Sequence, residues 1–492
     1  MNYIDLLKGI GLIILNLYCY KRAYSHYKKD SYTVALWCIV LSGFVLRLWC
    51  ITDPFLHEWD ERYHALVAKN LLINPLKPTL FAEPILDYDF RQWTHNHVWL
   101  HKQPLSLWCI ALSIKLFGCY EWAIRLPSLI FSLLAIIMTY KIAFFITKSR
   151  EKALLAAFFH AANGFVIELA SGRGATDHVD NTFFFFIETA VFLTTIYVEK
   201  QRFLTIVGVG IALGCALLTK SFPALIVLPI FFLLTIDSIG FKRATAYSFA
   251  IILVAFSLYL PWQYYIFQQF PNEARWENNY NFQHLYQAVE GHSGEWWWHL
   301  DEARIVWNEL IYVVFLWFLF YFFKNRSDKK LWALLVWITL PYVFFSAVAT
   351  KMWAYILFTA PAIFIVEALF LVHIKYVETR FTYLKNIVFY AVILLAIRYS
   401  YERVKPFPNA TYEASVYRAQ KIKALAPFFL EKDKNIVFGL DNYIECMFYH
   451  DNTIAYPNVP NSAIVDSLKR LNYTLFIADY PTKDGLILRR VK

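Results

Sequence analysis

The chain has 492 residues, of which 59% are hydrophobic and only 17% are charged. Soluble proteins carry about 25% charged residues, so this composition excludes an ordinary soluble protein. A net charge of +10 on a soluble protein would suit a nucleic-acid ligand. Here the positive charge falls mostly in short loops between apolar runs, which membrane topology explains better. We therefore predict a polytopic membrane protein with no nucleic-acid partner.

Apolar runs of about 15 to 25 residues recur up to residue 400, and this length crosses roughly 30 Å of hydrocarbon. The candidate spans are 5–20, 33–51, 123–146, 153–171, 181–198, 203–219, 222–236, 244–266, 305–323, 331–349, 352–373 and 386–400. Pro104–Gly118 is apolar but too short to cross, which is typical of a helix lying along the bilayer. The predicted fold class is mainly α, a membrane bundle of about 11 to 13 helices.

Lysine and arginine cluster in alternate loops, which predicts that those loops are cytoplasmic. The basic loops are 21–29, 148–152, 200–202, 242–243, 324–330 and 375–385. The loops on the opposite side, 52–122, 172–180 and 267–304, are then predicted to face outside, together with the tail from about 401. This alternation supports the list of spans, because one missed helix would reverse every later loop.

The tail differs in composition from the rest of the chain and predicts a second domain. Short β-like runs occur at Asn435–Asp441, Thr453–Tyr456 and Tyr473–Asp479, with helical patterning around Ser415–Leu430 and Ala463–Leu471. Such alternation indicates a small α/β domain. We expect a transmembrane domain over 1–400 and this α/β domain over 401–492.

Two outer segments carry carboxylates where the chain meets the membrane. The first, WDERYH, holds Asp60 and Glu61, and the second, SGRGATDHVDN, holds Asp177 and Asp180. Most acids in such loops are solvated surface residues. Asp60 stands out because its motif immediately precedes a helix-compatible apolar stretch. The topology puts both segments on one face, so we predict that they converge; the spacing does not decide between Asp177 and Asp180.

Single basic residues occupy the short outer turns, against the trend of the positive charge. They are Arg173, Lys220 and Lys351, and Lys102 lies where the first outer loop returns to the membrane. Four cations at one interface indicate an anionic ligand with a lipid tail, such as a polyprenyl phosphate. The alternative is that each side chain simply extends from an apolar segment to the interface, which explains one residue better than four.

The third outer loop contains EGHSGEWWWH at 290–299. Its histidines and glutamates, Glu290 and His292 among them, are metal-ligand types, but the spacing matches no strong metal motif. We predict no metal site here, and instead a glycine-containing loop that closes over substrate. Carboxylates and cations together suit glycosyl transfer, in which a base takes the acceptor proton and cations stabilise the departing phosphate.

Six segments resemble, in order, those of GT-C glycosyltransferases, especially the branch of lipid A aminoarabinose transferases and protein O-mannosyltransferases. They are DERYHALVAKNLL (60–72), the block from KQPL to SLL (102–134), GRGATDHVDNTFFFF (172–186), LTKSFPALIVLP (218–229), EGHSGEWWW (290–298) and KMWAYILFTAPA (351–362). Ser221 replaces the family's glycine after Lys220, and His101 and Gln103 flank Lys102 where the family often has Glu and Pro.

The resemblance implies a GT-C fold and an enzyme that moves a sugar from a polyprenyl-phosphate donor, such as an undecaprenyl phosphate. The acceptor would be a lipid A-like lipid, a protein or a glycan at the outer face of a bacterial inner membrane. It implies Asp60 as the catalytic carboxylate with Glu61 beside it, Asp177 or Asp180 as the second acid, and Lys102 at the lipid phosphate. The predicted substrate-binding set is Tyr63, Lys102, Arg173, Lys220, Glu290, His292 and Lys351. No cofactor is called for, and the need for a divalent cation is left open.

Two other functions are compatible with parts of this pattern. An O-antigen-type ligase or glycan polymerase would share the lipid-linked substrate. A transporter or flippase of lipid-linked substrates would carry ionisable residues in mid-membrane. The predicted spans are poor in such residues, although Glu188 and Glu367 are exceptions.

Overall fold

The computed structural model describes residues 3–174, 177–404, 410–429, 434–471, 473–480 and 485–491. Most of the described chain is helical. The helices of the bundle are α1 (Tyr3–Tyr27), α2 (Tyr32–Ile51), α5 (Glu121–Thr147), α6 (Arg150–Ala162), α7 (Gly164–Ala170), α8 (Asp177–Lys200), α9 (Phe203–Lys220), α10 (Val227–Gln269), α13 (Ile311–Lys324), α14 (Lys329–Ala347), α15 (Ala360–Tyr376) and α16 (Thr382–Val404).

Among the described residues, seven helices are long and apolar enough to cross a membrane, or nine if each of two bent helix pairs forms one span. This number is smaller than the predicted 11 to 13. One reason is that α10 counts once, although Gly240, with φ +75°, breaks it between the predicted spans 222–236 and 244–266. In addition, α1 and α16 cover the predicted spans 5–20 and 386–400 but are not among the seven.

The centre of the bundle is α15, whose residues from Ala360 to Val372 are all buried. A 3₁₀ turn, η2 (Trp353–Thr359), leads into it from the end of α14. Between Ala360 and Val372 the sequence of α15 is apolar except for Glu367 and has no polar face, as is typical of a helix surrounded by other helices. The chain segments that flank α15 therefore have fixed positions at the ends of the bundle.

Glu188 and Glu367, the two mid-span carboxylates noted above, are both hydrogen-bonded within the protein. Glu188 on α8 accepts a hydrogen bond from Thr139 on α5 at 2.5 Å. Glu367 on α15 accepts one from the Asn308 side-chain amide at 2.7 Å. These hydrogen bonds join α8 to α5, and α15 to the segment between α12 and α13.

One end of the bundle, here called the loop face, carries the shorter helices. These are α3 (Asp60–Asn70), α4 (Pro104–Phe117), α11 (Pro271–Tyr286) and α12 (Trp298–Val306). The helix expected at Pro104–Gly118 is thus observed as α4. Pro104 occupies its first turn, where no backbone donor is needed, and Gly118 ends it with φ +93°.

The C-terminal residues form the predicted small α/β unit on the loop face. Its elements are α17 (Ala410–Lys423), β1 (Asn435–Phe438), α18 (Tyr443–Tyr449), β2 (Thr453–Tyr456), α19 (Ser462–Arg470), β3 (Thr474–Asp479) and β4 (Ile487–Arg490). The strand order is β2-β1-β3-β4, with β1 parallel to β2 and β3, and β4 antiparallel to β3. Three strands were predicted; β4 and α18 were not.

This unit is docked on the loop that contains α3. The Lys69 ammonium donates to the carbonyl oxygens of Met447 and Phe448 at 2.9 Å each, at the end of α18. The Tyr443 hydroxyl donates to the Thr94 carbonyl at 2.7 Å. A cation at a helix C-terminus is favourable for the helix dipole as well as the carbonyls. The C-terminal unit therefore fixes the position of α3.

Candidate active site

Asp60 is the first residue of α3 and is only 7% exposed. The preceding Trp59 has φ +64°, an uncommon conformation for a non-glycine residue that is often found at functional sites. The Lys102 ammonium lies 3.6 Å from Asp60 Oδ2. Burial by itself raises the pKa of Asp60, but Lys102, His64 and His101 together hold it below its ordinary value. Asp60 is therefore a carboxylate at neutral pH.

A second carboxylate–lysine pair joins the ends of two helices. Asp180 lies in the first turn of α8, and Lys220 is the last residue of α9. The Lys220 ammonium donates to Asp180 Oδ1, while Asp180 Oδ2 is buried and finds no hydrogen-bond partner among the described residues. Ser221, which follows, has φ +58°, so this position favours the glycine that the family has. A buried oxygen left unpaired is costly, and it is available to a ligand.

Tyr355 and His284 connect the two pairs. The Lys220 ammonium lies 4.8 Å from the centroid of the Tyr355 ring, and the Tyr355 hydroxyl is 3.4 Å from His284 Nδ1. Burial lowers the pKa of His284 to about 4, and the charges of Lys102, His101 and Lys220 contribute to this shift. His284 is therefore neutral at neutral pH. Both lysines act on His284, and the charges of both Asp60 and Asp180 act on the Tyr355 hydroxyl. The two pairs therefore lie around these side chains, and we call this region the hollow.

Glu290 forms a further wall of this hollow. Its Oε1 accepts hydrogen bonds from Trp93 Nε1 and the Tyr280 hydroxyl, each at 2.8 Å. The Trp93 ring stacks on His101 with ring centroids 4.5 Å apart. Burial raises the pKa of Glu290, but the bonds from Tyr280 and Trp93 outweigh it and hold the pKa below its ordinary value. The loop predicted to close over substrate is thus attached to the site by its glutamate.

Glu61 has a different environment, although it is the next residue after Asp60. It is 1% exposed, and Arg125 on α5 binds it through two hydrogen bonds of 2.7 and 2.9 Å. The His57 backbone amide donates to it at 2.5 Å. A Cβ at Gly172 would lie 2.2 Å from Glu61 Oε1, so only glycine fits there. Burial raises the pKa of Glu61, but Arg125 holds it well below its ordinary value. This carboxylate fixes the fold of the loop and has no oxygen free for chemistry.

Two of the predicted phosphate-binding cations are also fully occupied. The Arg173 guanidinium makes bonds of 2.8 and 3.0 Å to Asp53. The Lys351 ammonium donates to the carbonyls of Phe345, Ser346 and Val348 at 3.0, 2.7 and 2.6 Å, around the end of α14. Both cations therefore stabilise loops and helix ends at the edge of the site.

Tyr63, His292 and Asp177 complete the predicted set. Tyr63 is 3% exposed and packs edge-on against Trp93 at 4.9 Å, so it supports the wall of the hollow. His292 is exposed. Asp177 lies outside the residues whose side chains the structure describes. Within the described ranges, no three or more His, Cys, Asp or Glu side chains are grouped to hold a metal ion.

Sequence reasoning missed several residues around the hollow. Arg125 had a signal, since a charged residue inside an apolar helix is expensive and usually paired. His284, Tyr280 and Tyr355 had none, because they reach the site only through the packing of α11 and η2.

The fold is similar to that of ArnT from Cupriavidus metallidurans. The structure bound to undecaprenyl phosphate matches with a TM-score of 0.59 and 16% identity, over 89% of this chain and 92% of that chain. The apo structure matches with a TM-score of 0.60 and 15% identity, over 92% and 93%. The chain therefore has an ArnT-like fold, and its long apolar helices are those of a multi-pass integral membrane protein.

Comparison of sequences agrees with the fold. Residues 101–265 match the family described as dolichyl-phosphate-mannose-protein mannosyltransferase. An undecaprenyl phosphate-alpha-4-amino-4-deoxy-L-arabinose arabinosyl transferase 2 from Pseudomonas fluorescens is 23% identical over 53% of this chain and 45% of its own length. The protein of the same name from Proteus mirabilis is 24% identical over 64% and 55%. The chain thus spans about half the length of these relatives, and the predicted family resemblance is confirmed.

Proposed function

We propose that the chain is a membrane glycosyltransferase that moves a sugar from a polyprenyl-phosphate donor to a hydroxyl acceptor at the loop face. The observation that carries this proposal is the hollow in which two carboxylate–lysine pairs, Asp60–Lys102 and Asp180–Lys220, surround the neutral His284. The names of the relatives support an undecaprenyl-phosphate donor. By the same reasoning, the loop face lies on the periplasmic side of a bacterial inner membrane.

The two lysines bind the donor phosphate. Each ammonium has three donors; Lys220 directs one to Asp180, and Lys102 is next to Asp60. Donors that remain available can approach phosphate oxygens from two sides and stabilise the negative charge that grows as the sugar–phosphate bond breaks. The polyprenyl tail then lies in the bilayer beside the bundle.

Asp60 is the base that accepts the proton of the acceptor hydroxyl. Its carboxylate is ionised, and within the described part of the chain its one ion pair is that with Lys102 at 3.6 Å, so it can turn toward an acceptor. Asp180, with one unpaired oxygen, orients the sugar or the acceptor by accepting a hydroxyl hydrogen bond. The acceptor oxygen then displaces the lipid phosphate directly, which inverts the anomeric centre.

The two predicted domains have different roles in this reaction. The membrane domain over 1–400, with its outer loops, supplies every residue named in this reaction. The unit over 401–492 acts indirectly, because its contacts to Lys69 and Thr94 hold α3 and the loop in place. The acceptor is a lipid, a protein or a glycan that reaches the hollow from the loop face.

The test is an assay of the purified full-length chain in detergent. Candidate undecaprenyl-phosphate-linked sugars are supplied with a lipid acceptor, and released undecaprenyl phosphate is measured. Asp60→Asn should lower turnover about 10³-fold, the range expected for a lost general base, with unchanged thermal stability. The control is Asp89→Asn, an acid of the same loop that only pairs with the exposed Arg91. Full activity of Asp60→Asn would refute this assignment.

A further inference from the structure

A groove separates α1 from α16 along much of their length. It contains two clefts that meet at Tyr20, with volumes of about 620 and 420 Å³. The larger cleft lies toward the end of the bundle opposite the loop face, here called the basic face, where the loops 148–152 and 375–385 lie. It is lined by α1, α2, α6, the end of α15 and the start of α16.

This larger cleft is polar at one end and apolar along the rest. The polar end holds Lys375, Lys385, Asn386 and Glu151. The apolar wall follows α16 inward to Ile393. At a rise of 1.5 Å per residue, the path from Lys385 to Ile393 is about 12 Å. One leaflet of a bilayer has a hydrocarbon depth of about 15 Å, so the apolar wall matches the acyl region of a single leaflet.

The charges at the mouth favour an anion. Lys375 is paired with Glu151 at 2.5 Å, so these two charges largely cancel. The Lys385 ammonium donates to the Val377 carbonyl at 3.2 Å, and an ammonium has three donors. The lining residues therefore carry one net positive charge at the level of the lipid headgroups. Basic pockets between helices on the cytoplasmic side of a membrane commonly bind anionic headgroups.

We propose that this cleft binds one anionic phospholipid from the leaflet at the basic face. Its phosphate contacts Lys385, and its acyl chains lie between α1 and α16. The net positive charge at the mouth and the single-leaflet depth of the apolar wall favour this occupant over a transmembrane helix of a partner, which would span both leaflets. The lipid would fill the space between α1, which packs mainly on α2, and α16. This site is separate from the proposed catalytic hollow and does not depend on it.

Native mass spectrometry of the full-length chain, released from an equimolar mixture of phosphatidylglycerol and phosphatidylcholine, tests the site. We expect one retained phosphatidylglycerol in preference to phosphatidylcholine. Lys385→Gln should lower that preference about fivefold, the effect of one cation near the membrane surface. The matched control is Lys324→Gln, an exposed lysine in another basic loop, which should leave the preference unchanged.

A second variant distinguishes the contribution of the acyl chains to lipid binding from that of the headgroup. Ile393→Trp fills the apolar end of the cleft and should remove the retained lipid of either kind, while the melting temperature shows whether the bundle still folds. Equal retention of both lipids by the wild type would overturn the proposal. So would a Lys385→Gln protein with undiminished preference, or a Lys324→Gln protein that loses as much.

Discussion

Two buried ionic clusters lie side by side on the loop face, and adjacent residues of one helix belong to them. The anchor cluster consists of Glu61, Arg125, Asp53 and Arg173, and the hollow contains Asp60, Lys102, Asp180, Lys220 and His284. In the anchor cluster, each carboxylate oxygen and each guanidinium nitrogen has a hydrogen-bond partner. In the hollow, one carboxylate oxygen has none among the described residues, and the contact between Asp60 and Lys102 is loose.

The two clusters are alike in residue type and in burial. They differ in the number of hydrogen bonds that their polar atoms already make, and we propose that this number marks the binding site. A saturated cluster can contribute only to the fold, because any ligand must first break its bonds. In an unsaturated cluster, the unpaired polar groups destabilise the fold until a ligand supplies their hydrogen bonds. Such unpaired groups are common in functional sites.

The largest effect is expected in the anchor cluster. Glu61→Gln leaves the Arg125 guanidinium buried without its counter-charge, which costs about 3 to 5 kcal/mol of folding free energy. The melting temperature in detergent should fall strongly, and activity should fall only with the folded fraction. A Glu61→Gln protein that is fully stable but inactive would place Glu61 in the chemistry and break the comparison.

For Asp180→Asn in the hollow we expect the opposite pattern, in which turnover falls more than stability does. The amide oxygen can still accept the Lys220 hydrogen bond, so stability should change by less than about 1 kcal/mol. Turnover should fall about 10- to 100-fold, because the charge that orients substrate and lysine is lost. A steady-state assay measures the turnover, and thermal melting of the same preparation measures the stability. Large unfolding of this variant would assign Asp180 to the structural class.

The pH dependence sharpens the role of Lys102. Asp60 is active as a base only when ionised, and its pKa is held below its ordinary value of 3.8. Activity of the wild type should therefore not decline through Asp60 until the pH falls below that value. Lys102→Met removes the largest lowering influence, so the pKa rises and the acid limb moves to higher pH. An acid limb that does not move would contradict the Asp60–Lys102 pairing.

Much of the fold could be predicted from the sequence, because most predicted spans coincide with observed helices. The exceptions are 153–171 and 305–323, which cross sharp bends between α6 and α7 and between α12 and α13. The periodicity and the length of an apolar run are local signals, and the same signals predicted three strands of the C-terminal sheet. The breaks in the helices were less visible: one glycine, Gly240, is enough to bend α10. The prediction that Asp60 lies near Asp177 or Asp180, with Lys102 and Lys220 among the neighbouring cations, came from the ordered motifs together with the topology.

The rest depended on pairs of residues distant in the chain. The sequence predicted Arg173 and Lys351 as phosphate ligands, but it contains no sign that Asp53 and the end of α14 already occupy them. It did not connect Glu61 with Arg125, 64 residues later. Saturation of a polar group is a property of packing, and a single sequence does not encode it locally.

The most direct test of the account is the affinity for undecaprenyl phosphate in three matched lysine-to-methionine variants. Lys102→Met and Lys220→Met each remove a cation from the hollow, and each should weaken binding about 10- to 100-fold, the value of a charge-assisted hydrogen bond. Lys351→Met removes a cation that three carbonyls already saturate. It should leave the affinity of the folded protein within about twofold. Equal losses in all three variants, or a loss confined to Lys351→Met, would contradict the account.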